Sequence, residues 1–161
     1  MNVRHASKCD GESWLRLRCE LWPGSTSDEH HREVDAFLSG NAREPQAVLV
    51  AERDGQIVGF AELSIRSYAE GCSSNRVAFL EGWYVAPEFR RLGIGRALVT
   101  ASEGWALGQH CVEFASDTQV DNETSRVAHR NCGFEEVATI RCFRKELPNN
   151  AMQAMCEDAR A

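Results

Sequence analysis

The residues best suited to chemistry lie in one run, Arg90-Arg91-Leu92-Gly93-Ile94-Gly95-Arg96, between an apolar stretch over 79–85 and a stretch of helical periodicity. Pro87 stops the apolar stretch, and Ile94, Ala97, Leu98, Ala101 and Trp105 then recur on one helical face, so the glycines fall at a helix N-terminus. The first N–H groups of a helix have no partner within it, and the helix dipole favours an anion there. Gly93 and Gly95 remove the side chains that would keep a phosphate from those amides. The spacing Arg90-x-x-Gly93-x-Gly95 is neither the GxxxxGK[ST] of a nucleotide loop nor the GxGxxG of a dinucleotide site. A tight strand-to-helix turn with solvated arginines is the other reading of the same residues.

Two carboxylates stand near this run. Glu81 interrupts the apolar stretch, and Asp117 follows a second strand-like run, Cys111–Ser116. A half-buried carboxylate is costly without a partner. A polycationic amine would be such a partner, and either carboxylate can take its proton directly or through water. The alternative is that Glu81 pairs internally with an arginine and that Asp117 caps a turn. Tyr68, beside the small-residue loop 67–75, can line the same pocket or merely close the loop. Trp22 can be a platform for a substrate ring or an ordinary hydrophobic anchor.

The order of elements must bring these residues together. Asn2–Arg4 reads as a strand, followed by a helix capped by Asp10 or Ser13 and bearing Trp14, Leu17 and Leu21. Trp22-Pro23-Gly24 ends it, and Ser27 or Asp28 caps a second helix with Val34, Phe37 and Leu38 before Gly40. Ala47–Arg53 and Gln56–Arg66 are strands joined at Asp54-Gly55, a strong hairpin signal. With 79–85 they form an antiparallel meander. Cys111–Ser116 then lies parallel to that last strand after a helical crossover. Ligands bind beyond the carboxyl ends of such parallel strands, here at Val85 and Asp117. Asp121 or Asn122 starts another helix ended by Gly133, and Phe134 with Ile140–Glu146 suggests a final hairpin. The fold class is α+β: a mixed, mostly antiparallel sheet flanked by about four helices.

Composition narrows the function. The 161 residues carry 24 acidic and 18 basic side chains, a net charge of −6, which argues against nucleic acid as a partner and suits a cationic small molecule. Residues 1–147 read as one domain, and 148–161 as a loose tail or an extra surface helix. Seven cysteines without a CxxC pair, and no apolar N-terminal segment, imply a reduced, cytoplasmic protein with neither disulfide nor metal. Cys111 and Cys132 read as small buried hydrophobes on a strand and a helix. No apolar stretch approaches the ~20 residues of a membrane span.

The loop with its preceding strand and proline, together with Asn122-Glu123-Thr124-Ser125-Arg126-Val127-Ala128-His129 and Gly133-Phe134, resembles two motifs of the GNAT superfamily of N-acetyltransferases. Leu21-Trp22-Pro23-Gly24, Gly59-Phe60-Ala61, Phe79-Leu80-Glu81-Gly82 and Ala115-Ser116-Asp117-Thr118 narrow the resemblance to the bacterial aminoglycoside 6'-N-acetyltransferases, over residues 1–147. The resemblance implies a sheet splayed between strands four and five, and acetyl-CoA as co-substrate. Its pantetheine arm would enter the splay, and main-chain groups of Trp83, Tyr84 and Val85 would lie at the acetyl carbonyl. Residues Arg90, Arg91, Leu92, Gly93, Ile94, Gly95 and Arg96 would hold the pyrophosphate, and Asn122 a pantetheine amide. The acceptor would be a cationic aminoglycoside held by Trp22, Tyr68, Glu81 and Asp117, with Asp117 as the general base. His129 stands where many members have a tyrosine that protonates the departing thiolate, and Ala138 where another acidic contact is expected. The family's members are usually homodimers. Transfer would be direct, with no acyl-enzyme, and would give antibiotic resistance. An acetyltransferase for polyamines or protein N-termini is the nearest rival, and a non-catalytic acyl-CoA sensor the rival of another class.

Overall fold

The computed structural model describes residues 1–147; the tail expected over 148–161 lies outside them. Its strands are β1 (Asn2–His5), β2 (Ala47–Arg53), β3 (Gln56–Arg66), β4 (Val77–Val85) and β5 (Glu113–Ser116). They form one sheet in the order β1-β2-β3-β4-β5, antiparallel throughout except for the parallel β4–β5 pair. The helices are α1 (Gly11–Leu21), α2 (Ser27–Leu38), α3 (Ile94–Gly108) and α4 (Glu123–Asn131).

Alternation in the strands decides which helix covers which face. Val48, Val50, Ile57 and Phe60 pack with Trp14 and Leu17 of α1 and Val34 of α2. From the opposite face, Leu49, Ala51, Ala61, Leu63 and Leu80 pack with Ile94, Leu98 and Val99 of α3. Arg4 ties β1 to the start of α1 by donating to both carboxylate oxygens of Asp10, at 2.7 and 2.9 Å. The β2–β3 turn forms at Asp54-Gly55, where both residues take left-handed φ, 52° and 77°, as a tight two-residue hairpin requires.

Four expectations need correction. The cap of α2 is Thr26 rather than Ser27 or Asp28: its hydroxyl accepts from the Glu29 N–H at 3.2 Å while Glu29 reaches back to the Thr26 N–H at 2.8 Å. This reciprocal capping box satisfies two otherwise unpaired donors. β4 begins earlier than Phe79, at Val77, where its pairing with Glu113 starts. Cys111 precedes β5 instead of lying in it, because its N–H is still closing the end of α3 on the Ala106 carbonyl at 3.0 Å. The final hairpin does not form: residues 134–147 carry no strand. Phe134 packs on Phe114 and His129, but the apolar side chains after it find no core among the described residues, so Phe143 stays 93% exposed and Val137, Ile140 and Leu147 are also exposed.

Candidate active site

The β4–β5 ladder holds only from Val77↔Glu113 to Leu80↔Ser116. Beyond it β4 runs on to Val85 while β5 ends, and the sheet opens. The β3–β4 register makes Phe60↔Tyr84 and Val58↔Ala86 the hydrogen-bonded pairs, with the Ala86 N–H donating to Val58 at 2.9 Å. Trp83 and Val85 are therefore non-hydrogen-bonded positions, whose N–H and C=O groups point away from β3 into the opening. Arg90 Nε donates to the Val85 carbonyl at 2.9 Å, which leaves the Val85 N–H facing the gap.

On the α3 side of the opening, the loop after β4 presents donors. The N–H groups of residues 91 to 96 make no hydrogen bond among the described residues, the first helical return being Ala97 N–H to Gly93 at 3.0 Å. Gly93 caps α3 with φ of +80° and open space where a Cβ would lie. A Cβ on Gly95 would come within 2.9 Å of the Trp83 ring, whose buried Nε1 has no partner among the described residues. The arginines divide their work. Arg90 turns back over the Tyr84 ring at 5.3 Å, Arg96 donates to the Asn131 carbonyl, and Arg91 stays exposed. Leu92 is exposed and Ile94 is buried in the core, so in these two only the backbone faces an anion.

The opposite side is built around an irregularity. Glu62 pairs with Gly82 but Leu63 with Leu80, so Glu81 is the extra residue of a β-bulge, a device that re-aims a side chain. Glu81 and Gly82 consequently share the α1–α2 face. Gly82 lies beneath the Trp22 ring, where a Cβ would come within 2.4 Å of it. Glu81 accepts from Ser64 Oγ and from Arg66 at 3.0 and 2.5 Å, the internal arginine pair that was its alternative reading. Asp117, one place beyond the last ladder pair, is exposed. The opening thus brings Trp22, Glu81 and Asp117 to one end of the parallel strands. Tyr68 is 66% exposed in the β3–β4 loop and meets none of them. The Tyr84 ring is turned to the α1–α2 face, its hydroxyl donating to Glu20 at 3.0 Å.

α4 borders the same gap. Asn122 spends its Oδ1 on the cap of α4, accepting from the Ser125 N–H at 3.0 Å. His129 lies edge-on to Trp83 and Phe134, with Nδ1 2.8 Å from the Ser125 carbonyl and Nε2 2.9 Å from Ser116 Oγ. A carbonyl only accepts, so Nδ1 carries a proton, and Nε2 meets a hydroxyl rather than open cleft. Cys132 is half-buried at the end of α4, its thiol pushed up by burial.

The sequence reading missed a charged cluster beneath the Trp22 side. Arg18 of α1 is buried, with Nε 3.0 Å from Glu62 Oε1 and NH2 2.6 Å from Glu33. Glu62 also accepts from Trp14 Nε1 at 2.8 Å, and burial pushes its carboxyl up against the pull of Arg18 and Trp14. The signal was present: Arg18 occupies a slot in the Trp14-Leu17-Leu21 stripe, and Glu62 sits in an apolar strand.

The profile of the acetyltransferase (GNAT) family matches residues 12–134. The chain belongs to that family. Among relatives of this GNAT protein, the aminoglycoside N(6')-acetyltransferase type 1 of Klebsiella aerogenes is 58% identical, covering 90% of this chain and 96% of the relative. The enzyme of the same name from Stenotrophomonas maltophilia is 39% identical, over 92% and 95% of the two chains. The solved structure of AAC(6')-Iy with the bisubstrate analog CoA-S-monomethyl-acetylneamine superposes with a TM-score of 0.84 at 38% identity, covering 91% of this chain and 98% of that one.

Proposed function

We propose that this GNAT protein transfers the acetyl group of acetyl-CoA to the 6'-amino group of aminoglycosides such as kanamycin or tobramycin. The observation that carries the reading is the opening between β4 and β5, with unpaired backbone donors on one side and carboxylates with an aromatic platform on the other. The similarity to enzymes of that name, over 90% of the chain or more, supports it. Acetyl-CoA would supply an activated thioester. The N–H groups of residues 91 to 96 and the Arg91 side chain would hold its pyrophosphate, and the unpartnered Trp83 Nε1 and the exposed backbone of Trp83 and Val85 fit a polar arm in the gap. The Val85 N–H would stabilise negative charge developing on the acyl oxygen.

On the acceptor side, Trp22 provides a flat surface, Glu81 with Arg66 fixes the floor, and Asp117 takes the proton of the attacking ammonium group. Tyr68, exposed in the β3–β4 loop and away from these groups, takes no part in this reading. The amine nitrogen bonds to the acyl carbon, the carbon–sulfur bond breaks, and the second proton that nitrogen gives up passes to the departing thiolate, directly or through water. His129 shares its ring hydrogen bonds with Ser125 and Ser116, which favours a positioning part over direct proton delivery. Acetylation at this amine removes a charge that the antibiotic uses, so resistance follows, in the cytoplasm where acetyl-CoA is found. Glu136, two residues before Ala138, is tied to Arg130 at 2.9 Å, so it does not make good the missing acidic contact.

Thiol release from acetyl-CoA, measured with tobramycin, a 6'-hydroxyl aminoglycoside, spermidine and a peptide amine, tests the reading. Release with tobramycin alone is expected. Release only with spermidine or the peptide would move the acceptor to the rival class, and binding of acetyl-CoA without release would make the protein a sensor. Gly82→Ala should raise the tobramycin KM roughly tenfold by pushing Trp22 aside, with the acetyl-CoA KM unchanged; steady-state kinetics with each substrate varied in turn reads both.

The protein is proposed to be a homodimer. The uncovered side chains of Val137, Ile140, Phe143 and Leu147, and β5 at the end of the strand order, suit a second copy that covers them. Sedimentation should give a dimer for the native chain and a monomer for Phe143→Glu.

A further inference from the structure

Arg18 occupies a place where stability alone would favour leucine. It lies in the buried stripe of α1, 7% exposed, and neither its NH1 nor its Nε, which is 3.0 Å from Glu62 Oε1, makes a hydrogen bond among the described residues. Replacing a buried ion pair with apolar groups is often neutral or stabilising, so the Arg18–Glu62 pair is a poor device for holding the fold together. What the guanidinium does touch is informative. It lies 5.1 Å from the centre of the Trp22 ring and 5.6 Å from that of Trp14. Glu33 from α2 accepts from its NH2 at 2.6 Å, and the Glu62 carboxylate from β3 faces its Nε at 3.0 Å as an ion pair, so the two carboxylates clamp it. The Trp22 backbone is held as well: its N–H donates to the Arg18 carbonyl at 2.9 Å, and its carbonyl lies 3.1 Å from His30 Nε2. The His30 ring stacks on Trp22 at 6.3 Å. Trp22 therefore ends a helix, the least constrained place on it, yet is fixed from three elements.

We propose that Arg18 is a positioning residue of the acceptor site: clamped between Glu62 and Glu33, it holds the Trp22 ring over Gly82, and so sets affinity for the aminoglycoside. The inference rests on the reading of Trp22 as the acceptor platform. A flat guanidinium against an indole face fixes the plane of the ring as well as its place, which an apolar neighbour or a lysine would not do.

The test is Arg18→Met/Glu62→Gln, which removes both charges together and leaves an amide to accept from Trp14. It is made in the native chain and in a Trp22→Ala background, with thermal midpoint, kcat and both KM values measured for tobramycin and acetyl-CoA. Trp22→Ala should raise the tobramycin KM. The paired variant should unfold near the native midpoint and raise the tobramycin KM roughly tenfold, with the acetyl-CoA KM unchanged. In the Trp22→Ala background it should add nothing further, because Arg18 acts through that ring. An unchanged tobramycin KM in the paired variant, with Trp22→Ala raised, would overturn the role of Arg18 and leave the platform standing. An equal increment in both backgrounds would overturn it too. A native KM in Trp22→Ala would remove the platform, and the proposal with it. Should the paired variant fail to fold, Arg18→Lys keeps a charge for Glu62 but loses the flat face, and the same outcomes decide.

Discussion

Asp117→Ala should lower kcat with tobramycin by roughly 10²–10⁴-fold, the range for loss of a positioned general base, while acetyl-CoA should bind as before. The two carboxylates of the cleft are unequal, and the structure gives the reason. Glu81 already has Arg66 at 2.5 and 3.0 Å and the Ser64 hydroxyl, so taking a proton from substrate would cost it those bonds. Asp117 follows Ser116 directly, beyond the last ladder pair, and its side chain is exposed. It can therefore approach an incoming ammonium group with nothing to give up. Without it the amine must lose its proton to solvent, so the activity of the variant should keep climbing with pH towards the amine's own pKa. Stopped-flow or steady-state thiol release across pH, with acetyl-CoA affinity measured by calorimetry, checks both halves. Native turnover in Asp117→Ala would remove the residue from the base role.

The parts of this site that sequence revealed are those written in local periodicity. The β2–β3 hairpin lies at Asp54-Gly55 with the bounds expected of it, because turn chemistry and strand alternation are carried by adjacent residues. The strand, glycine loop and helix around Gly93 are local in the same sense. What escaped depends on distant residues. The bulge at Glu81 exists only in the register between β3 and β4, and no property of the stretch 79–85 announces it. Trp14 reaches Glu62 across 48 residues of chain, so the buried Arg18 cluster was visible only as a charge in an apolar stripe. The segment from Ile140 to Glu146 has strand-like alternation, but a strand needs an edge to pair with. Pattern alone places no partner beside it.

Gly93→Asp should raise the KM for acetyl-CoA at least about 100-fold, and Gly93→Asn far less. The comparison separates charge from backbone. Gly93 holds a left-handed φ of +80°, and asparagine and aspartate tolerate that region about equally while differing by one charge. There is space for either side chain, since nothing lies within 4 Å of the Cβ position. A carboxylate some ~5 Å from a pyrophosphate costs roughly 3 kcal/mol per facing charge at an effective dielectric of about 20, a factor of about 100 in affinity. Either side chain also offers an internal acceptor to N–H groups at the start of α3, which are otherwise left for the ligand, so that effect is common to both variants and only the charge separates them. Both effects fall on binding, so kcat at saturating acetyl-CoA should stay within a few-fold of native. The tobramycin KM should not move, because Trp22 and Gly82 lie across the sheet on the α1–α2 face. Equal acetyl-CoA affinities for the aspartate and asparagine variants would show that no anion sits on this loop. The six free amides after β4 would then be a consequence of a tight turn.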